Sequence, residues 1–331
     1  MRVGIVGLKH AHIASFARFA AAAPEHELVG WVEDDPQLQE RIRTQFGSPI
    51  YTSTDELYSQ GVDVIGIGAI NRARGAIIID ALEHGVHVLA DKPLLLSLEE
   101  LRKVKELRAQ KGLQVGLMLT ERYNPPFQRL FEVVDNGDIG DVVSFTAFRP
   151  HKLRIASRPD WMFDHYQYGG LLADLAIHDI DIMRRVCPAE VVSIHAWQTN
   201  RHYSDRTDFY DNAHAAIQLS NGTMGWFAAN WLTPNGSDIH GDCRCFVQGT
   251  TGAVEVKVDG GFGRGETILT TATQSAHSLD LPPADIADLY RDFLAVVAGE
   301  APGKLILPPE EGLASTELAL EAQAVADAVR V

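Results

Sequence analysis

The chain is poor in cysteine: Cys187, Cys243 and Cys245 are the only three among 331 residues. So small and odd a number excludes a disulfide scaffold and suits a reducing cytoplasm, where the protein is expected. Cys243 and Cys245 would share one face of a strand, and no second ligand pair accompanies them. They read as structural, and no metal site is expected. No apolar run is long enough to cross a bilayer. The start, Met1-Arg2-Val3-Gly4-Ile5-Val6-Gly7, reads as a strand and not as a secretory leader. Positive charge is also short, with 29 Lys and Arg against 44 Asp and Glu and a net charge of −15. Such a chain repels nucleic acid and anionic membranes, so neither is expected as a partner. Internal repeats and low-complexity linkers are absent. What remains is an ordinary globular composition, 46% hydrophobic and 22% charged, in a length that suits two domains.

The first part alternates strand and helix. Strands are expected over 2–7, 27–32, 62–68, 86–90 and 113–119, with helices between them. Ser97-Leu98-Glu99-Glu100 is a capping box that opens one of those helices. Strict alternation implies βαβ units and a parallel, doubly wound sheet, hence an α/β Rossmann domain over 1–121. The pattern changes after about Thr120. Strands are then expected over 142–148, 191–198, 212–219, 223–230, 243–248, 253–258 and 267–271. Helices are expected near 124–135, 171–186, 283–298 and 310–330. Turn signals such as Ser220-Asn221-Gly222 and Asp259-Gly260-Gly261 punctuate the strands. This describes an α+β domain over 122–331 with a large, mostly antiparallel open sheet. Such a sheet needs one face covered, and pairing with another copy would do it, so a homodimer or homotetramer is expected. The long loop over 150–170 is rich in aromatic and charged residues, as functional loops tend to be.

Two stretches carry chemistry. The first strand runs into Gly7-Leu8-Lys9-His10 and then a helix, the arrangement that seats a pyrophosphate on a helix N-terminus. Glu33, at the end of the second strand, stands at the spacing of the acid that holds the adenine ribose hydroxyls. Asp34 follows where an arginine would welcome a 2′-phosphate, which favours NAD over NADP. Lys9 occupies the place of the second glycine, where it either narrows the approach or adds a cation beside the phosphate. The alternative is a strand–turn–helix that binds nothing. His10 and His12 lie in this turn and are not read as a metal pair. The second stretch is Gly169-Gly170-Leu171-Leu172-Ala173-Asp174-Leu175-Ala176-Ile177-His178-Asp179-Ile180-Asp181. Asp174, His178 and Asp181 project along one line of a helix. A histidine one turn from carboxylates is a good proton acceptor with a fixed tautomer. The same line also suits the wet side of an amphipathic helix.

Further motifs give the chain a family likeness. They include Val32-Glu33-Asp34-Asp35-Pro36, Asn71, Asp91-Lys92-Pro93, Arg122-Tyr123-Asn124-Pro125, Gly169-Gly170 with Asp174 and His178, and Gly249-Thr250-Thr251-Gly252. With the opening glycine turn, they resemble the glucose-fructose oxidoreductase / inositol dehydrogenase / MocA (Gfo/Idh/MocA) family over nearly the whole length. Lys9, and Arg74 where that family often has histidine, depart from its pattern. The resemblance implies a nicotinamide cofactor touched by Gly7, Leu8, Lys9, His10, Glu33, Asp34, Asn71, Arg74, Asp91 and Lys92. By position it makes Lys92, Asp174 and His178 the catalytic set. It implies an oxidoreductase that moves a hydride between the nicotinamide and the CH–OH group of a sugar, polyol or related small molecule. His178 would take the hydroxyl proton, and Lys92 would stabilise the alkoxide. A cis Lys92–Pro93 bond is expected. Arg122, Tyr123, Trp161, Asp164 and His165 are the expected substrate contacts. A non-catalytic dinucleotide sensor of the same fold and an NAD-dependent glycosidase are the alternatives.

Overall fold

A computed structural model describes residues 1–259, 261–300 and 305–329. Within these the chain forms two compact units, Met1–Met118 with Ala287–Ala314, and Leu119–Ile286 with Ser315–Val331.

The first unit begins as a run of alternating elements: β1 (Arg2–Val6), α1 (Ile13–Ala22), β2 (Glu27–Val32), α2 (Pro36–Phe46), β3 (Ile50–Tyr51), α3 (Thr54–Tyr58), β4 (Val64–Ile67), α4 (Arg74–Glu83), β5 (His87–Ala90), α5 (Leu98–Lys111) and β6 (Val115–Leu117). The strands form one parallel sheet in the order β3-β2-β1-β4-β5-β6. Val3, Ile5, Val64, Ile65, Ile67 and Val88 are fully buried, because helices cover both faces of a crossover-built sheet. Helix starts follow local rules. Asp35 Oδ1 accepts from the amides of Gln37 and Leu38 with Pro36 at the first position, and Ser97 Oγ accepts from Glu100. Gly112, with φ +67°, ends α5 in a left-handed cap.

In the second unit, α6 (Pro125–Asp135), β7 (Val142–Pro150), α7 (His165–Tyr168), a π-helical turn (Leu172–Ala176), α8 (Ile177–Val186), β8 (Val191–Thr199), β9 (Asn212–Leu219), β10 (Met224–Asn230), β11 (Cys243–Gly249), β12 (Gly252–Val258), β13 (Gly265–Thr271) and β14 (His277–Ser278) follow in order. The eight strands run β14-β13-β12-β11-β7-β10-β9-β8. One neighbouring pair, β7 with β10, is parallel, and the rest are antiparallel. Helix α6 packs on β12 and β13, while α8 and the π-helical turn pack on β10. Phe145, Ala147, Ala215, Ile217, Cys243, Cys245, Val247, Val254 and Val256 point into this packed side and are buried. Phe148, Trp197, Trp226 and Phe246 point the other way and are exposed. The chain continues as α9 (Ala287–Val297) in the first unit, and α10 (Pro309–Ala328) passes from the first unit to the second.

The expected strands and helices recur with ends shifted by a few residues. Strands β3 and β14, two residues each, were too short to show an alternation of their own. The expected helix over 171–186 is divided, its first part being the π-helical turn. The units differ from the expected 1–121 and 122–331 division, since the first crossing falls at Met118 and 287–314 returns to the first unit. Gly260 of the Asp259-Gly260-Gly261 turn, and Arg330 and Val331 at the end of the expected 310–330 helix, lie outside the described residues.

Candidate functional site

In the first unit the turn after β1 is built around Gly7, whose φ is +79°. A Cβ at that position would lie 2.8 Å from the backbone of Ala69, so the loops after β1 and β4 meet closely there. His10 N donates to Gly68 O across the same gap at 2.8 Å. Glu33 is buried, and its carboxylate is turned inward. Its Oε2 accepts from Leu8 N at 2.7 Å, and its Oε1 accepts from Asp34 N at 3.0 Å and Asp35 N at 2.9 Å. The acid expected to hold ribose hydroxyls therefore fixes the glycine turn to the end of β2. Those amides sit on adjacent loops and would otherwise lack partners, which is why the carboxylate turns inward. Asp34 keeps its side chain in solvent.

Lys9 reaches back over this corner. Its Nζ lies 3.3 Å from Glu33, 3.1 Å from Asp34 and 3.2 Å from Asp35. Burial lowers the Lys9 pKa, but hydrogen bonds to Asp34 and Asp35 and the charge of Glu33 outweigh it and leave the pKa raised. The cation thus neutralises an acidic corner, and no 2′-phosphate finds an unshared positive charge beside it.

At the end of β5, the Lys92–Pro93 bond is cis. Asp91 is fully buried, its Oδ1 accepts from Lys92 N at 2.8 Å, and its Oδ2 accepts from His10 Nδ1 at 2.6 Å. Burial pushes the His10 pKa down to about 4, more than the attraction of Asp91 raises it. Burial works to raise the Asp91 pKa, but the adjoining His10 and His12 hold it well below the usual carboxylate range. His12 Nδ1 lies 3.4 Å from Asp91 Oδ1. His10, His12 and Asp91 are the one group among the described residues whose ligand atoms all lie within 4.8 Å of one another in a metal-like set. Both carboxylate oxygens already serve His10 and the Lys92 amide, so we read the group as a hydrogen-bonded cluster. Arg74, expected to touch the cofactor, is instead a buried clamp. Its Nε donates to Ala69 O, and its Nη1 donates to Asp91 O and Pro93 O. A guanidinium offers several rigid donors, so it can hold the loops after β4 and β5 together where a histidine could not. Asn71 is buried beside it in the same loop.

In the second unit, Asp174 lies in the π-helical turn and His178 in the first turn of α8; both are buried. Tyr168 OH donates to Asp174 Oδ2 at 2.6 Å and accepts from Trp231 Nε1 at 3.2 Å. Burial, then the negative charge of Asp174, raises the Tyr168 pKa well above its ordinary value, so the hydroxyl stays a donor. Neither Tyr168 nor Trp231 was expected in the site. The signal available was the tyrosine directly before Gly169-Gly170. Asp181 leaves the expected line of three. It pairs with Arg122, Nε to Oδ2 at 2.6 Å and Nη2 to Oδ1 at 2.9 Å, and Oδ1 also accepts from Ser315. Arg122 and Tyr123 are each 1% exposed. Expected as substrate contacts, they lie inside the unit: Arg122 anchors α8 through Asp181, and Tyr123 is buried.

Two more expected contacts are structural. Asp164 caps α7, accepting from the amides of Tyr166 and Gln167, and His165 Nε2 pairs with Asp327 at 2.9 Å. Trp161 is buried, and its Nε1 makes no hydrogen bond among the described residues. A buried indole N–H of this kind is available to a ligand.

Comparison with known proteins places these halves in context. Residues 1–118 match the family model described as "Oxidoreductase family, NAD-binding Rossmann fold", and residues 127–255 match the "GFO/IDH/MocA C-terminal domain". The chain is similar to scyllo-inositol 2-dehydrogenase (NAD(+)) of Bacillus subtilis, 31% identical over 202 residues, 60% of this chain and 56% of that one. The chain thus spans little more than half the length of that relative. A myo-inositol dehydrogenase of Streptomyces leeuwenhoekii is 26% identical over 77% of this chain and 76% of its own. A crystal structure from Erwinia carotovora atroseptica superposes with a TM-score of 0.88 at 28% identity, covering 98% of both chains.

Proposed function

The chain belongs to the Gfo/Idh/MocA oxidoreductase family, and from that we propose that it is an NAD-dependent dehydrogenase acting on the CH–OH group of a polyol or sugar-like compound. The observation that carries this reading is that the chain holds both a nucleotide corner and intact acid–base residues. The Lys92 amide donates to Asp91, itself paired with His10, and Asp174 in the π-helical turn and His178 at the start of α8 are buried. A bound nicotinamide supplies the hydride acceptor. His178 takes the hydroxyl proton, because an imidazole titrates near neutral pH. Lys92, at the end of β5, carries an ammonium of the kind that stabilises a developing alkoxide. Asp174, held by Tyr168, orients its neighbours on the substrate side. The residues at the end of β2 suit NAD: a 2′-phosphate would face Glu33, Asp34 and Asp35 with Lys9 as their shared counter-ion.

The exposed aromatic face supports a homodimer. Phe148, Trp226, Trp197 and Phe246 lie 39–49% exposed on neighbouring strands of one sheet face, with Arg244, Glu255 and Lys257 toward the β12 side. An apolar centre with a polar border, repeated on a second copy, is a self-complementary surface. The cytoplasm is its proposed location, on the three free thiols.

The test is titration with NADH and NADPH, followed by nicotinamide fluorescence. Tighter binding of NADH by an order of magnitude or more is expected, and Asp34→Arg should narrow that ratio. No response to either nucleotide overturns the reading.

A further inference from the structure

The protein carries a net charge of −15, yet from Val142 to Pro159 it holds no acidic residue and four cations, Arg149, Lys152, Arg154 and Arg158. Three of the four have settled places. Arg149 pairs with Asp179 and Glu121, Lys152 Nζ donates to Ser237 O, and Arg154 is exposed. Arg158 is half-buried and has no carboxylate within 4.0 Å among the described residues. Its Nε donates to Leu153 O at 2.7 Å, and its Nη1 reaches only Met162 Sδ at 3.4 Å. Its guanidinium carbon stands 4.0 Å from the centre of the Trp231 ring. That is the tryptophan whose Nε1 donates to Tyr168, the partner of Asp174. Arg206 repeats the pattern, stacked 3.9 Å over Phe163 with its Nε unpartnered. The unpartnered indole N–H of Trp161 lies in the same loop as Arg158.

Nε is engaged and Nη1 meets only a thioether, so Nη2, which makes no hydrogen bond among the described residues, is the donor left for an anionic oxygen. Burial lowers the Arg158 pKa, and the charges of Tyr168 and Asp174 offset this only from beyond ion-pair distance. A partly desolvated charge without a direct ion pair is costly, and a ligand oxyanion can supply one. We propose that Arg158 is the recognition point for an anionic oxygen group of the substrate, which is therefore a polyhydroxylated acid and not a neutral polyol. The chemistry is shared by a carboxylate and a phosphate ester. The Arg158–Trp231–Tyr168–Asp174 chain sets that group at a fixed remove from Asp174. The inference rests on the dehydrogenase reading for the oxidised hydroxyl alone, since recognition of the acid can be measured without turnover.

The experiment pairs matched compounds: D-glucose against D-gluconate, D-glucuronate and glucose 6-phosphate, with myo-inositol as a further neutral member. Thermal shifts in buffer free of phosphate and sulfate report binding, and NADH formation reports turnover. The acids should raise the melting temperature and show kcat/KM at least tenfold above the neutral compounds. Arg158→Gln should cut the acid-to-neutral ratio by about tenfold or more, to near one, through KM. Arg158→Lys, which keeps the charge and loses the stack, should retain part of the preference and guards against a folding defect. A lead of gluconate or glucuronate names the carboxylate, and a lead of glucose 6-phosphate names the phosphate. Equal ratios in the wild type and Arg158→Gln overturn the proposal. If acids stabilise the wild type but not Arg158→Gln and no compound yields NADH, the anion site stands and the dehydrogenase reading fails.

Discussion

Tyr168 holds the residue most exposed to error in a reading from spacing alone. Asp174 and His178 are four apart, which suggests that one carboxylate serves one imidazole. Asp174 Oδ2 also accepts from Tyr168 OH at 2.6 Å, a partner that the spacing does not name. Tyr168→Phe removes that donor while keeping the ring, and kcat should fall about tenfold with the fold intact. An unchanged kcat would make the tyrosine a packing residue. His10 gives a second prediction at this scale. Its pKa falls from 6.5 to about 4 on folding, so the unfolded chain takes up the proton first. The stability it contributes is whole above pH 6.5 and is lost as pH falls toward 4. Asp91, also lowered, acts in the same direction at lower pH. Between pH 7 and pH 4.5 the wild type should lose about 2–3 kcal/mol more than His10→Asn, measured by urea unfolding at each pH. Parallel losses would show that His10 is not buried in its neutral form.

At the scale of elements, α8 is fixed by two buried guanidiniums. Arg122 grips Asp181, and Arg149 grips Asp179 at 2.7 and 2.8 Å. Those two carboxylates hold α8 in place, and Asp174 and His178 lie buried on the same stretch. Arg122→Ala leaves Asp181 buried and uncompensated, and it should cost about 3–5 kcal/mol in urea unfolding. A cost below 1 kcal/mol would mean the pair is solvated. The doubly wound sheet was legible because alternation of apolar strands with capped helices is a local property of sequence. The glycine turn, the Asp-Lys-Pro corner and the Asp174/His178 stretch were legible as short motifs. Partnerships between distant residues were not: Arg122 with Asp181 and Glu33 with Leu8 N depend on tertiary placement. The π-helical turn was hidden because its residues keep helical apolar spacing. The Trp231 bond was hidden because nothing in its neighbourhood names Tyr168, 63 residues earlier.

At the scale of the whole molecule, the return of 287–314 to the first unit could not be read from helix patterns. Where a helix docks depends on surfaces that neither segment displays alone. The open sheet face gives a prediction of its own. Trp226→Glu, at the centre of the aromatic patch, should convert a dimer into a monomer in sedimentation velocity, and an unaltered sedimentation coefficient would move the interface elsewhere. The central claim, that Lys92 and His178 each act in the reaction, is tested most directly by NADH formation with the best-used polyol or acid. Lys92→Ala and His178→Ala, each verified as folded and able to bind NADH, should lower kcat by at least about 100-fold. Rates within a few-fold of the wild type in both variants would contradict it.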